Sequence, residues 1–320
     1  MVCCRLLIVI IILLPGSLRS QETVVPVFKV VPLGVKGGID ESNLSAYLLA
    51  PYRSEEYICL DAGTLHYGIQ KAITNGVLKT NTHSFLRQNI KAYFISHPHL
   101  DHVAGLIINS PDDSSKNIYG LNSCLEVLKD KYFSWKSWAN FGDAGEQPAL
   151  KKYHYFPLFP SVETQIEQTP LTVKAFPLSH VNPNKSTAFL IGLKGQYILY
   201  LGDTGDDETE KSDDLKELWK GISSLIKAKK LKAIFIEVSY TNEQPVKQLF
   251  GHLTPALLIK ELNVLQQLTG PGSLKGLPVV ITHMKLFEKK ETENLRVQLN
   301  KSNEPGVKFI FAEQAKKLVF

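Results

Sequence analysis

Short apolar runs separated by polar turns recur along most of the chain and predict its secondary structure. The early runs predict strands at residues 28–32, 46–50 and 57–61. Apolar residues spaced three and four apart then predict helices at 80–88, 101–109, 121–129, 214–229 and 254–268. Further strands are predicted at 171–176, 187–193, 197–201, 233–237, 279–282 and 308–311. Strands that alternate with helices in this way indicate an α/β fold.

Side chains that can bind metals or move protons follow the apolar strands directly. The segments are AYFIS before His97, VKAFPLS before His180, YILYLG before Asp203, AIFI before Glu237 and PVVIT before His283. A sheet buries its strands and leaves the loops at one end free for chemistry. We therefore expect these five positions to meet at one edge of a sheet.

The segment His97-Pro-His-Leu-Asp-His102 has four ligand-type side chains in six positions. In an extended loop, His97 and His99 point to the same side and can bind one metal. Asp101 and His102 then open the helix predicted by DHVAGLIINS and face a second position. Imidazole and carboxylate ligands together suit zinc, with manganese and iron as alternatives.

This HxHxDH segment resembles the signature of the metallo-β-lactamase superfamily. Asp61-Ala-Gly follows an early strand as the superfamily's Asp-x-Gly element does, and the remaining ligand positions occur in the expected order. The resemblance implies an αββα sandwich with two divalent metal ions, which we expect to be zinc, at the shared edge of its sheets. It also implies the ligands: His97, His99 and His180 for the first metal, Asp101, His102 and His283 for the second, and Asp203 as the bridge. Water between two such ions becomes hydroxide near neutral pH.

Residues 97–111 resemble more narrowly the signature of class II cyclic nucleotide phosphodiesterases. The segments LFGHLTP at 249–255 and THMK at 282–285 resemble the same family, and the similarity runs from about residue 28 to about residue 315. The resemblance implies hydrolysis of 3′,5′-cyclic nucleotides to nucleoside 5′-monophosphates. Cyclic AMP is the expected substrate, and cyclic GMP is a further candidate.

His252 is a catalytic candidate, together with Glu237 and Asp101. It follows a glycine and precedes Thr254-Pro255, where proline suits the first position of a helix. Glu237 is the candidate partner that would keep His252 protonated and oriented. The imidazolium could then hold a phosphate oxygen or protonate the departing oxygen. The alternative is that His252 only caps local structure.

Residues 112–170 interrupt the strand pattern and are rich in aromatic side chains. Trp135 and Trp138 are candidates for stacking on a purine, an interaction worth about 1–3 kcal/mol per base. The competing interpretation, which we favour, is an extra helical layer with an aromatic core. Lys285, two residues beyond His283, is a candidate phosphate contact, although most lysines are simply solvated.

The first twenty residues have the pattern of a targeting segment. A short basic start precedes the apolar run LLIVIIILL, and Pro15, Ser17 and Ser20 follow it. This pattern predicts a secretory signal peptide at 1–20, cleaved after Ser20, and a phosphodiesterase domain at 21–320. The run is shorter than the roughly 20 residues that span a bilayer, so we expect no stable membrane insertion after cleavage. The predicted location is secreted or periplasmic, with a short membrane anchor as the alternative.

Composition excludes some partners. Hydrophobic residues make up 44% of the chain and charged residues 21%, which is typical of a protein with a full core. Without the two arginines of residues 1–20, 34 basic and 31 acidic residues leave a charge of +3. That charge is too mild to indicate nucleic-acid binding, so the expected partner is a small cyclic nucleotide.

Cys59 and Cys124 are expected to be buried free thiols rather than a disulfide. The sequence leaves the oligomeric state undetermined.

Two rival interpretations of the motifs stay open. One is another hydrolase of the same superfamily: a lactonase, a β-lactamase or an RNA 3′-processing phosphodiesterase. Against the nuclease stand the predicted signal peptide and the lack of an evident basic arm. The other is a metal-bearing binding protein without turnover, which the complete ligand set makes the weaker interpretation.

Overall fold

A computed structural model of the chain describes residues 25–181 and 183–320. The signal peptide predicted at 1–20 lies outside the described residues, so it stays a prediction. Within the described part of the chain, no helix is long and apolar enough to cross a membrane.

Two seven-stranded sheets form the centre of the protein. The first has the order β14-β1-β2-β3-β4-β5-β6, from β1 (Phe28–Gly34), β2 (Ala46–Pro51), β3 (Tyr57–Leu60), β4 (Ile90–Phe94), β5 (Lys116–Gly120), β6 (Tyr153–Pro157) and β14 (Leu318–Val319). The second has the order β13-β12-β11-β10-β9-β8-β7, from β7 (Glu163–Gln165), β8 (Thr172–Ser179), β9 (Lys185–Leu193), β10 (Gln196–Leu201), β11 (Leu231–Glu237), β12 (Pro278–Thr282) and β13 (Lys308–Phe311).

The helices of the described residues lie between and after the strands. They are α1 (His66–Thr74), α2 (Thr82–Ser84), α3 (Leu100–Asn109), α4 (Asn122–Val127), α5 (Asp207–Glu210), α6 (Asp214–Lys227), α7 (Pro255–Thr269) and α8 (Lys289–Lys301). Turns of π-helix follow α2 and α4, at Phe85–Asn89 and Leu128–Tyr132. Helix α7 begins as its sequence predicts, because Thr254 caps it by accepting a hydrogen bond from the backbone N–H of Leu257, and Pro255 is its first residue.

Three apolar layers hold these elements together. Between the sheets, Tyr47 and Phe94 of the first sheet pack against Tyr200 and Phe189 of the second, with ring centroids 5.6 and 5.5 Å apart. Helices α1, α3 and α4 cover the outer face of the first sheet, and α6, α7 and α8 cover the outer face of the second. The protein is therefore an αββα sandwich, which confirms the predicted architecture.

Strand direction brings the functional loops to one edge. Strands β8 and β10 both pair antiparallel with β9, so they run in the same direction. Strands β10, β11 and β12 are parallel neighbours. The carboxyl ends of β8, β10, β11 and β12 therefore lie at the same edge of the second sheet, as the strand-end pattern predicts. The end of β4 meets them from the first sheet, because His97 Nε2 lies 3.7 Å from Asp203 Oδ2.

The prediction of a helical layer at residues 112–170 is wrong. Strands β5 and β6 extend the first sheet by parallel pairing and β7 begins the second, so α4 is the main helix of this segment. The strands are short, β5 begins with polar Lys116-Asn117, and β6 is an edge strand in which only Tyr153 is fully buried. Neither has the apolar run that marks a buried strand. Cys59 and Cys124 are buried free thiols, as predicted.

Candidate active site

One carboxylate oxygen lies at the centre of the strand ends. Oδ2 of the buried Asp203 is 3.1 Å from His283 Nε2, 3.3 Å from His102 Nε2, 3.7 Å from His97 Nε2 and 4.0 Å from His180 Nε2. These residues follow β10, β12, β4 and β8, so elements distant in the sequence supply them.

The other six predicted ligands form two groups of three around Asp203. In the first group His97 Nε2 lies 3.0 Å and His180 Nε2 lies 3.4 Å from His99 Nδ1. The second group consists of Asp101, His102 and His283. In it, His283 Nε2 lies 3.1 Å from Asp101 Oδ2. Within each group of three, one ligand atom per residue falls within 4.8 Å of the others, so each group can hold a metal ion.

The protonation of these side chains fits cation binding. Burial lowers the pKa of His97 well below its ordinary value and that of His180 to about 4, so both imidazoles are neutral and keep a lone pair for a metal. Burial opposes ionisation of Asp203, but the charges of His283 and His102 hold the pKa of its carboxyl well below its usual range.

His102 shows most directly that the residues fit a metal. Its buried Nε2 has no hydrogen-bond partner among the described residues, because its 3.3 Å contact with Asp203 lacks hydrogen-bond geometry. A buried nitrogen without a partner is costly unless a ligand satisfies it. Burial alone would lower the pKa of His102, but the charges of Asp203 and Asp61 raise it well above its ordinary value. The position therefore attracts positive charge, and a divalent cation meets both requirements.

Asp61 orients His102 from behind. Its Oδ2 accepts hydrogen bonds from His102 Nδ1 at 2.8 Å, from the Tyr200 hydroxyl at 2.7 Å and from Ser96 Oγ at 2.9 Å. Because this bond holds the proton of Nδ1, a cation at the site would displace a proton from Nε2 and bind there. The sequence resemblance indicated Asp61, whereas Ser96 and Tyr200 were missed because serine and tyrosine at strand ends are common.

A glycine loop packs over the second group. A Cβ on Gly37 would lie 2.1 Å from His283 Cε1, so no other residue fits there without moving that ring. The backbone N–H of the next residue, Gly38, donates to Asp101 Oδ2 at 2.9 Å. The loop therefore fixes one ligand by contact and a second by a hydrogen bond.

Glu237 supports two histidines at once. Its Oε1 accepts from His252 Nδ1 at 2.7 Å, which is the pairing that the sequence predicted. Its Oε2 accepts from the Ser239 hydroxyl at 2.6 Å, and Ser239 Oγ lies 3.1 Å from His283 Nδ1. In this series of hydrogen bonds, His283 Nδ1 donates to Ser239 Oγ and Ser239 Oγ donates to Glu237 Oε2. Nε2 of His283 therefore remains available to bind a metal. Nothing in the sequence marked Ser239.

Replacing Ser239 with alanine should weaken the second metal position. The change leaves Nδ1 of His283 without its acceptor, and losing such a supporting hydrogen bond typically costs about 10–100-fold in metal affinity. Zinc titration of the metal-free protein measures the effect. Ser186→Ala is the matched control, because Ser186 is equally buried and its Oγ has no hydrogen-bond partner among the described residues. Equal zinc affinity in the two variants would show that Ser239 does not position His283.

The predicted substrate-binding residues have different surroundings. Lys285 lies next to the cluster of ligand side chains around Asp203, since its Nζ is 2.8 Å from Nε2 of the neighbouring His252. Trp138 Nε1 donates to the hydroxyl of Ser110, just beyond α3, and Trp135 Nε1 donates to the carbonyl of Pro148. Ser110 is about 13 Å along the helix direction from Asp101, so the indole N–H of Trp138 is held at the far end of α3. The role of the two tryptophans in substrate binding therefore stays a prediction.

Solved structures with the same architecture identify the class of protein. The unliganded yeast PDE1 crystal structure superposes with a TM-score of 0.82 at 25% identity, over 92% of this chain and 100% of that one. The metallo-β-lactamase fold protein YhfI of Bacillus subtilis superposes with a TM-score of 0.61 at 16% identity, over 92% and 99%. The chain is thus a metallo-β-lactamase fold protein whose histidine and aspartate groups suit divalent metals.

Sequence comparison identifies the family within that class. The family model for class-II cAMP phosphodiesterases matches residues 27–314, and the chain belongs to this family. A 3′,5′-cyclic-nucleotide phosphodiesterase of Aliivibrio fischeri is 44% identical over 307 residues, which cover 92% of this chain and 93% of that relative. The fold, the family and the enzyme class predicted from the motifs are thereby confirmed.

Proposed function

We infer that this chain hydrolyses cyclic AMP, and also cyclic GMP, to nucleoside 5′-monophosphates at a centre that holds two zinc ions. The observation that carries the inference is the position of Asp203 Oδ2 between two complete groups of three ligands. The imidazole and carboxylate donors of both groups are those that zinc prefers. The relative from Aliivibrio fischeri is named a 3′,5′-cyclic-nucleotide phosphodiesterase, which supports the substrate class.

Divalent cations bound to these residues would supply Lewis acidity toward the phosphoryl oxygens and would acidify water. The protein's own contribution is to hold the ligands in place. Asp61, Ser239 and the carbonyl of Gly251 each accept a hydrogen bond from the Nδ1 of one ligand histidine, the last from His180 at 2.8 Å. Ligands fixed in this way need little rearrangement when a cation binds.

His252, Glu237 and Lys285 form the proton-handling side of the site. Burial alone would lower the pKa of His252, but Glu237 raises it above its ordinary value, while the Lys285 ammonium acts in the opposite sense. In the 2.8 Å contact with the Lys285 ammonium, Nε2 of His252 is the acceptor, and this contact opposes protonation of that nitrogen while Glu237 favours it. A phosphate group draws the Lys285 ammonium to itself. Nε2 of His252 can then hold a proton for a phosphoryl oxygen or for the departing 3′ oxygen.

Turnover by the purified, metal-replete protein tests the proposal. We expect AMP from cyclic AMP and GMP from cyclic GMP, with no turnover of a lactone or of nitrocefin. Removing metal with a chelator should abolish the activity, and zinc should restore it at two ions per chain. Formation of a 3′-monophosphate, turnover of the lactone alone, or full activity in metal-free protein would each contradict the proposal.

The proposal includes export, which rests on the sequence of residues 1–20 alone. An exported enzyme would act on cyclic nucleotides outside the cytoplasm. Sequencing the amino terminus of the mature protein checks this, because cleavage after Ser20 leaves Gln21 as the first residue. Recovery of the full-length chain from the cytosol would contradict export.

A further inference from the structure

A cavity of about 250 Å³ opens beside the first ligand group. One wall consists of the rings of His97, His99 and His180. The opposite side is formed by α4, which contributes Val127 and Cys124. Any molecule in this space therefore touches the residues of the first metal position directly.

The cavity walls are largely neutral. Pro98 and Val127 supply apolar surface, and burial raises the pKa of the Cys124 thiol, which keeps that side chain uncharged. The charged side chain at the rim is Lys185, and Asp214 pairs with it at 2.6 Å. Ser123 adds a hydroxyl and Asn184 a primary amide. Apolar surface with a few polar groups suits an uncharged ring system better than a second phosphate.

On the side of the ligand groups away from this cavity, Lys285 supplies a positive charge. His252 lies beyond His180, with ring centroids 5.0 Å apart, and its Nε2 contacts the Lys285 ammonium. The site thus has a cationic end at Lys285 and a neutral end at α4, with the ligand groups between them. A cyclic nucleotide has the same polarity, because its phosphate is charged while its base and sugar are neutral.

From this polarity we propose that the cavity is the nucleoside subsite, in which the base packs between Val127 of α4 and the rim residues Ser123 and Asn184. This assignment rests on the proposed function and goes further by orienting the substrate. The phosphate faces Lys285, and the base enters between α4 and the loop before β9. The volume is just below the roughly 300–1,000 Å³ of whole-ligand pockets, which is consistent with the phosphate lying outside it at the ligand groups.

Filling the cavity tests the assignment. Val127 is half-buried at the end of α4, so Val127→Trp places an indole in the space that the base would occupy. We expect the KM for cyclic AMP and the Kd for AMP, measured by calorimetry on zinc-loaded protein, each to rise at least about tenfold, with zinc content unchanged. A tenfold rise corresponds to about 1.4 kcal/mol of lost binding free energy. Val297→Trp on the solvent side of α8, where the valine is 55% exposed, is the matched control and should behave as wild type.

Ser123→Trp provides the same test from an exposed position, should the Val127 variant fail to fold. Wild-type Kd and KM values in whichever of the two variants folds and binds zinc would overturn the subsite. Absence of cyclic AMP turnover in the wild-type protein would instead overturn the proposed function. The two failures are therefore distinguishable, because the first is seen only in variants of an active enzyme.

Discussion

Replacing Asp203 with alanine is expected to abolish cyclic nucleotide hydrolysis while the sandwich stays folded. Asp203 Oδ2 lies within 4.0 Å of a nitrogen of four ligand histidines, so the change removes the one negative charge that both groups share. Loss of a bound metal forfeits several kcal/mol of charge stabilisation in the transition state. At about 1.4 kcal/mol per tenfold, we expect the rate to fall by about a thousandfold or more.

Steady-state kinetics, bound zinc per chain and circular dichroism of the metal-free proteins together measure this effect. Asp203→Asn keeps the volume but loses the charge, and it should behave as the alanine variant does. Asp213→Ala, which removes a carboxylate that is 74% exposed, should leave activity and zinc content unchanged. Normal turnover in Asp203→Ala would show that this carboxylate does not hold the reactive centre.

Replacing His252 with alanine is expected to slow turnover by about 10²–10⁴-fold, the range that a positioned acid or base contributes. Both ring nitrogens are already engaged, Nδ1 with Glu237 and Nε2 with Lys285. We therefore expect zinc content to stay close to that of the wild type. His83→Ala changes an exposed histidine outside the cluster and is the matched control.

The zinc content of the His252 variant distinguishes a catalytic residue from a ligand. One side-chain atom of His252 lies within 4.8 Å of His180 and Asp203, and one lies within 4.8 Å of Glu237 and His283, so the geometry also permits ligation. Loss of one zinc per chain in His252→Ala would make His252 a ligand. Unchanged kcat and KM with full zinc content would contradict its role in phosphate binding and proton transfer, and would leave only the capping of local structure.

Local spacing determines much of the site. The four ligands of residues 97–102 follow from two local facts: alternate residues of an extended loop share a side, and the next turn of helix presents Asp101 and His102. The strand-end positions of His180, Asp203 and His283 follow from apolar runs that the sequence displays. The sequence also predicted the pairing of His252 with Glu237, because Glu237 ends a predicted strand and His252 comes just before a predicted helix. The structure confirms this pairing at 2.7 Å.

Contacts between distant segments lie beyond what spacing can predict. Ser239 meets His283 across 44 residues, Tyr200 meets Asp61 across 139, and Gly37 packs on the ring of His283. Serine, tyrosine and glycine are common at strand ends and in loops, and only their neighbours in space give them a role here. The strands β5 and β6 were missed for a related reason, since pairing within the sheet, rather than their own apolar pattern, makes them strands.

Short-range periodicity in the sequence therefore predicted an α/β fold, and local motifs, through their resemblance to a known family, predicted the αββα sandwich and the candidate ligand residues. Only the tertiary structure decided which atoms support the ligands and where a cavity adjoins them. Folding brings together side chains as far apart in the sequence as Asp101 and His283, which are 182 positions apart. Hydrogen-bond geometry over such separations is set by the packing of two sheets rather than by the spacing of residues along the chain.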